Sequence, residues 1–159
     1  MKKLLITVTA LIIVVAIAGV IFVNLNKEKP SITASSFYTT MSQKGYSVED
    51  ATNQVEGDNV VKQIYVAVSE DYSYQIEFWE FLDDSYATSF YNENKAIFES
   101  SKGNVSAETS VGFKNYSKYT LSSNGKYMVV SRIDNTAIYV DVDDNCKDTV
   151  KAILNELGY

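Results

Sequence analysis

Alternation of apolar and polar residues predicts a hairpin in the first half of the chain. In residues 60–69, Ile64 and Val66 alternate with more polar neighbours, which is typical of a strand with one buried face. A polar turn begins at Glu70, and a second alternating segment follows over residues 72–81. We therefore predict two antiparallel strands joined by a short loop.

The second half of the chain contains a stronger turn signal. Asn124 and Gly125 form a dipeptide that accepts the positive φ angles of a type I′ hairpin turn. Apolar residues alternate on both sides of this turn, and they do so again after a polar pair at residues 134–135. These segments predict three further strands, over residues 113–122, 126–132 and 136–142.

Three other segments carry apolar residues three or four positions apart, which predicts helices over residues 35–45, 83–100 and 143–157. Asp83 and Asp84 begin the second helix, where carboxylates accept hydrogen bonds from the free amides of the first turn. The predicted inner face of this helix consists of Ala87, Phe90, Ile97 and Phe98. That of the third helix consists of Cys146, Val150, Ile153, Leu154 and Leu157.

An internal repeat relates the two halves. Residues 65–69 match residues 127–131 at an offset of 62 residues, and the same offset pairs Ile76 with Ile138. A hairpin followed by a helix would look similar without any duplication, and both origins predict the same architecture. The sequence predicts an α+β domain in which two β-β-α units form an antiparallel sheet and pack their helices on one face.

Helices on one face would leave the other face of the sheet open. The set expected to face the helices is Val68, Ile76, Phe78, Met128, Val130, Ile138, Val140 and Val142. Period-two alternation then sends Tyr65, Trp79, Tyr127 and Tyr139 to the open face. Such rings can stack on sugars or accept an extended peptide, so these four are the candidate ligand-binding residues. Two alternatives stay open: tyrosine is a good strand former, and the first helix can cover this face.

The amino terminus predicts a membrane segment. Residues 4–23 are uncharged and largely apolar, and these 20 residues match the length of a helix that crosses the hydrocarbon core. Lys2 and Lys3 precede them, which favours a cytoplasmic terminus over residues 1–3 and an exported carboxyl portion. We therefore expect a single-pass protein of the cell membrane.

Residues 24–32 are polar and contain Pro30, the only proline, which predicts a juxtamembrane linker before a domain over residues 33–159. The alternative to an anchor is a signal peptide that is cleaved after Ala18. Because the residues that follow Ala18 are still apolar, the pattern favours an anchor that is retained.

The domain is acidic. Ten of the 14 basic residues and 19 of the 20 acidic residues lie beyond residue 30, which gives this part of the chain a net charge of −9. Phosphate backbones repel such a surface, so we expect no nucleic-acid partner. The same sign argues against adhesion of the domain to anionic lipid headgroups. The expected contact with the membrane is the amino-terminal helix.

Few residues suited to catalysis are present. The chain has no histidine, so its one cysteine, Cys146, lacks the usual partner of a thiol nucleophile. Residues 141–145 begin like a calcium loop, but Cys146 and Ala152 occupy the positions of the required glycine and glutamate. Nothing in the sequence places two carboxylates at the separation that a glycosidase needs. We expect no enzymatic activity, no cofactor and no metal site.

These observations favour a membrane-anchored, extracytoplasmic binding module that is not catalytic. Its expected ligand is a cell-wall glycan or an extended peptide, held on the aromatic sheet face by Tyr65, Trp79, Tyr127 and Tyr139. The alternative is a structural or regulatory accessory protein that contacts another membrane or envelope protein. The first function requires an open aromatic face, whereas the second requires only a surface that fits a protein partner.

Overall fold

The computed structural model describes residues 28–55 and 59–159. Its helices are α1 (Ala34–Gln43), α2 (Asp84–Ser100) and α3 (Lys147–Glu156), and short 3-10 helices cover Thr52–Val55 and Asp144–Cys146. The strands are β1 (Ser47–Asp50), β2 (Val61–Val68), β3 (Gln75–Phe81), β4 (Ser106–Gly112), β5 (Tyr116–Ser123), β6 (Lys126–Ile133) and β7 (Thr136–Asp143). They form one seven-stranded sheet in the order β1-β2-β3-β7-β6-β5-β4, and every neighbouring pair is antiparallel. The predicted α+β class with an antiparallel sheet is confirmed.

The helices pack on both faces of the sheet, so the prediction of one covered face is wrong. Phe37 of α1 stacks on Phe78 with ring centroids 5.0 Å apart, and Leu154 of α3 lies in the same buried cluster. We call this side the α1/α3 face. Tyr91 and Phe98 of α2 belong to a second cluster on the opposite side, which we call the α2 face.

The reason for this error lies in β6. Its residues 127–131 are all buried, because α3 covers one side of this strand and α2 covers the other. A strand that is buried on both sides has no polar face, so alternation cannot tell which side chains point together. The register places Val129 opposite Val140 and Val130 opposite Tyr139, on different faces. The predicted helix-facing set is therefore divided: Val68, Met128 and Val130 lie on the α2 face, and Ile76, Phe78, Ile138, Val140 and Val142 lie on the α1/α3 face.

The internal repeat describes the two hairpins but not the two helices. Strand residues that are 62 positions apart share a face, since Tyr65 pairs with Phe78 and Tyr127 with Val142, all on the α1/α3 face. The helix that follows each hairpin does not obey this relation, because α2 and α3 pack on opposite faces. The two β-β-α units are therefore not equivalent in three dimensions.

The turn and cap signals correctly marked several boundaries. Asn124 and Gly125 have φ angles of 54° and 76°, as a type I′ turn between β5 and β6 requires. Asp83 caps α2, because its side chain accepts a hydrogen bond from the Ser85 amide at 2.9 Å. Gly45, with a φ angle of 87°, follows α1 in the left-handed conformation that often ends a helix.

Side chains on α2 differ from the predicted inner face at two positions. Ala87 and Phe98 are buried as expected, but Tyr91 is buried as well, and Ile97 is 58% exposed. Adjacent residues on a helix point about 100° apart, so Phe98 and Ile97 cannot both face the sheet. Ile97 is therefore free to contribute to the outer surface of this helix.

Both edge strands, β1 and β4, are absent from the prediction. Strand β4 contains mostly small and polar residues, and six of its seven residues are exposed. Strand β1 has only four residues, of which three are exposed. Neither segment buries enough apolar side chains to produce an alternating pattern, so the sequence showed no strand there.

The buried carboxylate of Glu80 connects α1 to the sheet. One oxygen accepts a hydrogen bond from the Ala34 amide at 3.2 Å, in the first turn of α1, and the other lies 2.5 Å from the Lys62 ammonium. An anion is favourable at a helix amino terminus, where the free amide groups point outward. Glu80 therefore stabilises the position of α1. Each of its two carboxylate oxygens has a partner within the protein, which gives this residue a structural role.

The chain that precedes α1 is attached to the start of β5. Asn115 accepts a hydrogen bond from the Lys29 amide at 2.9 Å and donates one to the Lys29 carbonyl at 2.8 Å. The Lys29 ammonium lies 3.9 Å from the centre of the Tyr116 ring, and Lys114 pairs with Glu28 at 2.7 Å. We call these contacts the Asn115 clamp.

The predicted membrane segment over residues 4–23 lies outside the described residues. Among residues 28–55 and 59–159, no helix combines the length and the apolar composition that crossing a membrane requires.

Candidate functional site

The four aromatic residues predicted to form one platform lie on two different faces of the sheet. Tyr65 and Tyr127 are on the α1/α3 face, whereas Trp79 and Tyr139 are on the α2 face. The prediction of one shared surface is therefore wrong. Two errors of phase are the cause: that of β6 assigned Tyr127 to the side of Trp79, and that of β2 relative to β3 assigned Tyr65 there, although Tyr65 pairs with Phe78.

The two tyrosines of the α1/α3 face pack against helices. Tyr65 is half-buried beside Tyr38 of α1, with ring centroids 5.4 Å apart. Tyr127 is 3% exposed beneath α3, with the ammonium groups of Lys147 and Lys151 at 5.5 and 5.6 Å from its ring centre. Burial raises the pKa of Tyr127 to about 12. Neither ring is placed to stack with Trp79 on a common ligand.

Tyr139 shares the α2 face with Trp79 but lies under the carboxyl half of α2. Its ring centre is 5.3 Å from that of Phe98. Burial, and then the negative charges of Asp141 and Glu77, raise the pKa of Tyr139 above its ordinary value. This ring supports the helix, so Trp79 is the predicted site residue that borders open sheet.

Trp79 stands where the covered part of the α2 face meets the open part. Its ring centre is 4.9 Å from that of Phe90 on α2 and 6.1 Å from that of Phe81 on β3. Phe81 and Phe90 are themselves 5.5 Å apart, so the three rings form one cluster. This cluster fixes the position of the indole while leaving it half-buried.

Three side chains of β3 form a hydrogen-bonded row beside the open sheet. Residues two apart on a strand point to the same face, which brings Gln75, Glu77 and Trp79 together. Glu77 accepts a hydrogen bond from the Trp79 indole at 3.1 Å and another from the Gln75 amide at 3.1 Å. A carboxylate has further lone pairs, so Glu77 can still accept hydrogen bonds from a ligand.

A shallow cavity of about 260 Å³ lies over this row. Its floor contains Ile64, Val66 and Val68 of β2, and the polar side chains around it are Glu49, Gln54, Gln75 and Glu77. Among the described residues, no α-helix covers this part of the sheet, because α2 packs over β3, β5, β6 and β7, and the 3-10 helix Thr52–Val55 contributes to the lining of the cavity. We call the area formed by Glu49, Gln54, Val66, Gln75, Glu77 and Trp79 the Trp79 surface.

A second groove, of about 510 Å³, runs along the other side of Trp79 beside α2. Its lining is mainly apolar and includes Val61, Tyr86, Phe90 and Ile97. Tyr86 is 41% exposed. We call this area the α2 groove. Trp79 lines both depressions, so a ligand on the Trp79 surface and a partner in the α2 groove would meet at the same indole.

The acidic segment at the start of α3 is engaged by lysines. The Asp143 carboxylate lies 2.9 Å from the Lys126 ammonium, and that of Asp144 lies 3.5 Å from Lys147. Within residues 28–55 and 59–159, no three side chains of the types that ligate metals come together. The Cys146 thiol is partly buried against the core and donates to Asn145 at 3.2 Å. These contacts give the acidic residues and the thiol structural roles.

Sequence analysis missed Glu49 and Gln54 as residues of the site. Glu49 lies on edge strand β1 and Gln54 on a 3-10 helix, and neither element was predicted. The available signal was Val48, an apolar residue between polar neighbours, which is too short a pattern to define a strand. These two residues enter the site because β1 pairs with β2 in register, with Glu49 opposite Val66.

Comparison of the chain with models of protein families, with curated proteins and with solved structures gives no match. The chemistry of the Trp79 surface is therefore the basis on which a function is proposed.

Proposed function

We propose that this protein is a non-catalytic binding module that holds a glycan on the Trp79 surface. The observation that carries the proposal is the combination of one half-buried indole with four carboxylate or amide side chains around a single shallow cavity. Of the four residues first considered for this role, only Trp79 is retained at the centre of the site. A cell-wall glycan fits the extracytoplasmic location that we propose below.

Sugars match this surface for a chemical reason. The C–H face of a pyranose ring is apolar and stacks on an aromatic ring, whereas its hydroxyl groups need planar donors and acceptors around the edge. Glu49 and Glu77 supply acceptors, and the amides of Gln54 and Gln75 supply both donors and acceptors. Because Glu77 already orients Gln75 and the indole, part of the site is ordered before the ligand arrives.

We further propose that residues 4–23 anchor the domain in the cell membrane as a single helix, with residues 33–159 outside the cytoplasm. The support is the uncharged segment of 20 residues that follows Lys2 and Lys3. In this arrangement the module stays near the envelope polymer that it binds. Immunodetection of a carboxyl-terminal tag on intact cells, with and without added protease, tests this topology directly.

An accessory protein that docks on another envelope protein is the second candidate function. A specific observation favours it: Ile97 is 58% exposed and Tyr86 is 41% exposed, both line the α2 groove, and exposed apolar groups that adjoin a groove are typical of protein interfaces. In this case Ile97→Ser should abolish co-purification of a partner from detergent-solubilised membranes. Asn92→Ser is the matched control, because Asn92 is exposed on the same helix but does not line the groove.

Fluorescence of Trp79 tests the glycan proposal, because it is the only tryptophan in the chain. The full chain in neutral detergent is titrated with oligomers of N-acetylglucosamine, and separately with short extended peptides. A saturable shift of emission with the sugar supports the proposal. A shift with the peptides alone would instead point to strand addition at the β1 edge, which pairs with β2 only among the described strands.

Two variants that keep the fluorophore locate the ligand. Glu49→Ala and Gln54→Ala remove exposed side chains of the cavity, and each should weaken sugar affinity by about fivefold to tenfold through the loss of a hydrogen bond. Glu70→Ala is the control, since Glu70 is an exposed acid that does not line this cavity. Equal affinities in all three variants, or no saturable response to any sugar, would overturn the proposal.

A further inference from the structure

We propose that the groove between α3 and the outer strands β4 and β5 is a binding site for a phosphate-bearing ligand. This groove has a volume of about 420 Å³ and lies on the α1/α3 face, away from the Trp79 surface. Lys118 of β5 and Lys147 and Lys151 of α3 converge on it, together with the hydroxyl groups of Thr109, Thr120 and Ser122. We call these six residues the lysine groove.

The arrangement follows from two regular spacings. Residues four apart lie on one side of a helix, so Lys147, Lys151 and Asn155 form a single stripe along α3 that faces the strands. Thr120 pairs with Thr109 and is two residues from Lys118 and Ser122, which places these side chains on the same face of the sheet. The stripe therefore forms a wall of the groove, and the hydroxyl groups form its floor.

Positive charge is concentrated here against the overall sign of the domain. Beyond residue 30 the chain has a net charge of −9, yet three of its ten basic residues line this one groove. Glu108 is the one carboxylate residue among the described lining residues, and its side chain is engaged elsewhere. It pairs with Lys102 at 2.5 Å and accepts a hydrogen bond from the Tyr119 hydroxyl, on the α2 face.

The three ammonium groups are only partly neutralised within the protein. Lys147 donates to the Ser122 hydroxyl at 2.8 Å and lies 3.5 Å from Asp144. Lys118 donates to the main-chain oxygen of Tyr159 at 3.1 Å. Among the described residues, Lys151 has no side-chain carboxylate within 4 Å.

Crowding of like charge supports the same conclusion. Burial, and then the positive charges of Lys29 and Lys151, lower the pKa of Lys118 below its ordinary value. A bound anion would relieve this repulsion and would favour the charged form of Lys118. Phosphate fits better than carboxylate because its several oxygens can accept from ammonium and hydroxyl donors at once, and the groove offers three of each.

Calorimetric titration of the full chain in neutral detergent tests this site, with two probes at constant ionic strength. Pyrophosphate represents a free phosphate, and glycerophosphoglycerol represents the phosphodiester of a lipid headgroup or polymer. Saturable binding of either probe supports the proposal, and the tighter probe identifies the source of the phosphate. Failure of both probes to bind would overturn the proposal.

A matched pair of lysines separates this site from a general charge effect. The Lys151 ammonium lies 5.6 Å from the Tyr127 ring centre, and the Lys95 ammonium lies 5.6 Å from that of Tyr119 on the opposite face. Lys151→Ala should weaken binding of the better probe by about tenfold, through loss of a charge-assisted contact. Lys95→Ala should change it by less than about twofold. Equal effects of the two substitutions would overturn the proposal, and the emission of Trp79 without any ligand checks that each variant remains folded.

Discussion

The Trp79 surface and the lysine groove are two open areas of the same sheet, and they differ in almost every chemical respect. The first lies over β1–β3 on the α2 face and combines an indole with acidic and amide side chains. The second lies over β4 and β5 on the α1/α3 face and combines lysines with hydroxyl groups. One is suited to a neutral polyol, and the other is suited to an anion.

Their diagonal placement follows from the width of the sheet. Six spacings of about 4.8 Å separate the outermost strands, so the sheet is about 29 Å wide, whereas a helix covers about 10 Å. Among the described residues, two helices pack on one face and one on the other. Strand area is therefore left uncovered near both edges. The comparison shows that one scaffold can present two unrelated chemistries when the helices on each face leave a different edge of the sheet uncovered.

Disruption of the shared core should remove both sites together. Phe78 is fully buried and packs against Phe37 of α1 and Tyr159. Phe78→Ala should lower the free energy of unfolding by about 3–5 kcal/mol, because it leaves a cavity between these rings. Urea denaturation measures this loss. Tyr38→Ala, at an exposed aromatic residue of α1, should cost less than about 1 kcal/mol. Similar losses for the two variants would contradict this account of the core.

A smaller loss of stability should affect one end of the sheet more than the other. Glu80→Ala removes the acceptor of the Ala34 amide and the partner of Lys62, which should cost about 2 kcal/mol. Because α1 packs on β1–β3, hydrogen exchange should quicken there more than in β5 and β6. Glu99→Ala is the control, because its pair with Lys95 contributes only a few tenths of a kcal/mol. Uniform acceleration across all strands would show that the ends are not independent.

Alkaline pH should lower the free energy of unfolding of the domain through Tyr127, which lines the lysine groove. An unfolded tyrosine loses its proton near pH 10, whereas burial raises the pKa of Tyr127 to about 12 in the folded protein. The unfolded state therefore gains stability between these values, and this residue lowers the free energy of unfolding by at most about 1.4 kcal/mol per pH unit. Below pH 9 it has no such effect. Denaturation at a series of pH values should show a shallower decline in Tyr127→Phe than in the native protein.

The smallest effect expected is a difference in salt dependence. Raising the salt concentration from about 0.05 to 0.5 M should weaken phosphate binding at the lysine groove severalfold, because exposed charges are screened. Binding of a neutral sugar at the Trp79 surface should change by less than about twofold. The two titrations are run in the same buffers. Parallel changes at both sites would mean that they are not chemically distinct.

The sequence predicted the elements that bury apolar residues well. Five strands and three helices were found because Ile64, Phe78 and Leu154, for example, lie in segments with a clear period. The hairpin at Asn124 was found because positive φ angles restrict the residues that can occupy it. Strands β1 and β4 were missed because an edge strand with few buried side chains leaves no such pattern.

The candidate site was harder to predict than the fold. Trp79 was selected from strand alternation and its aromatic ring, but Glu49 and Gln54 lie beside it through pairing across the sheet, which depends on register. The lysine groove could not be predicted from the sequence for a similar reason. Lys118 and Lys151 are distant in sequence, and an overall acidic composition gave no indication that they lie side by side.

The Asn115 clamp has a consequence for how far the domain can stand from a membrane. Between Val23, the last residue of the proposed anchor, and Glu28, the first residue held by the clamp, five peptide units span at most about 18 Å. The backbone of Glu28 would therefore remain within that height of the bilayer surface, and the start of β5, which the clamp attaches to it, would lie close by. With the proposed anchor, such a short tether would limit the domain to ligands in the layer next to the membrane.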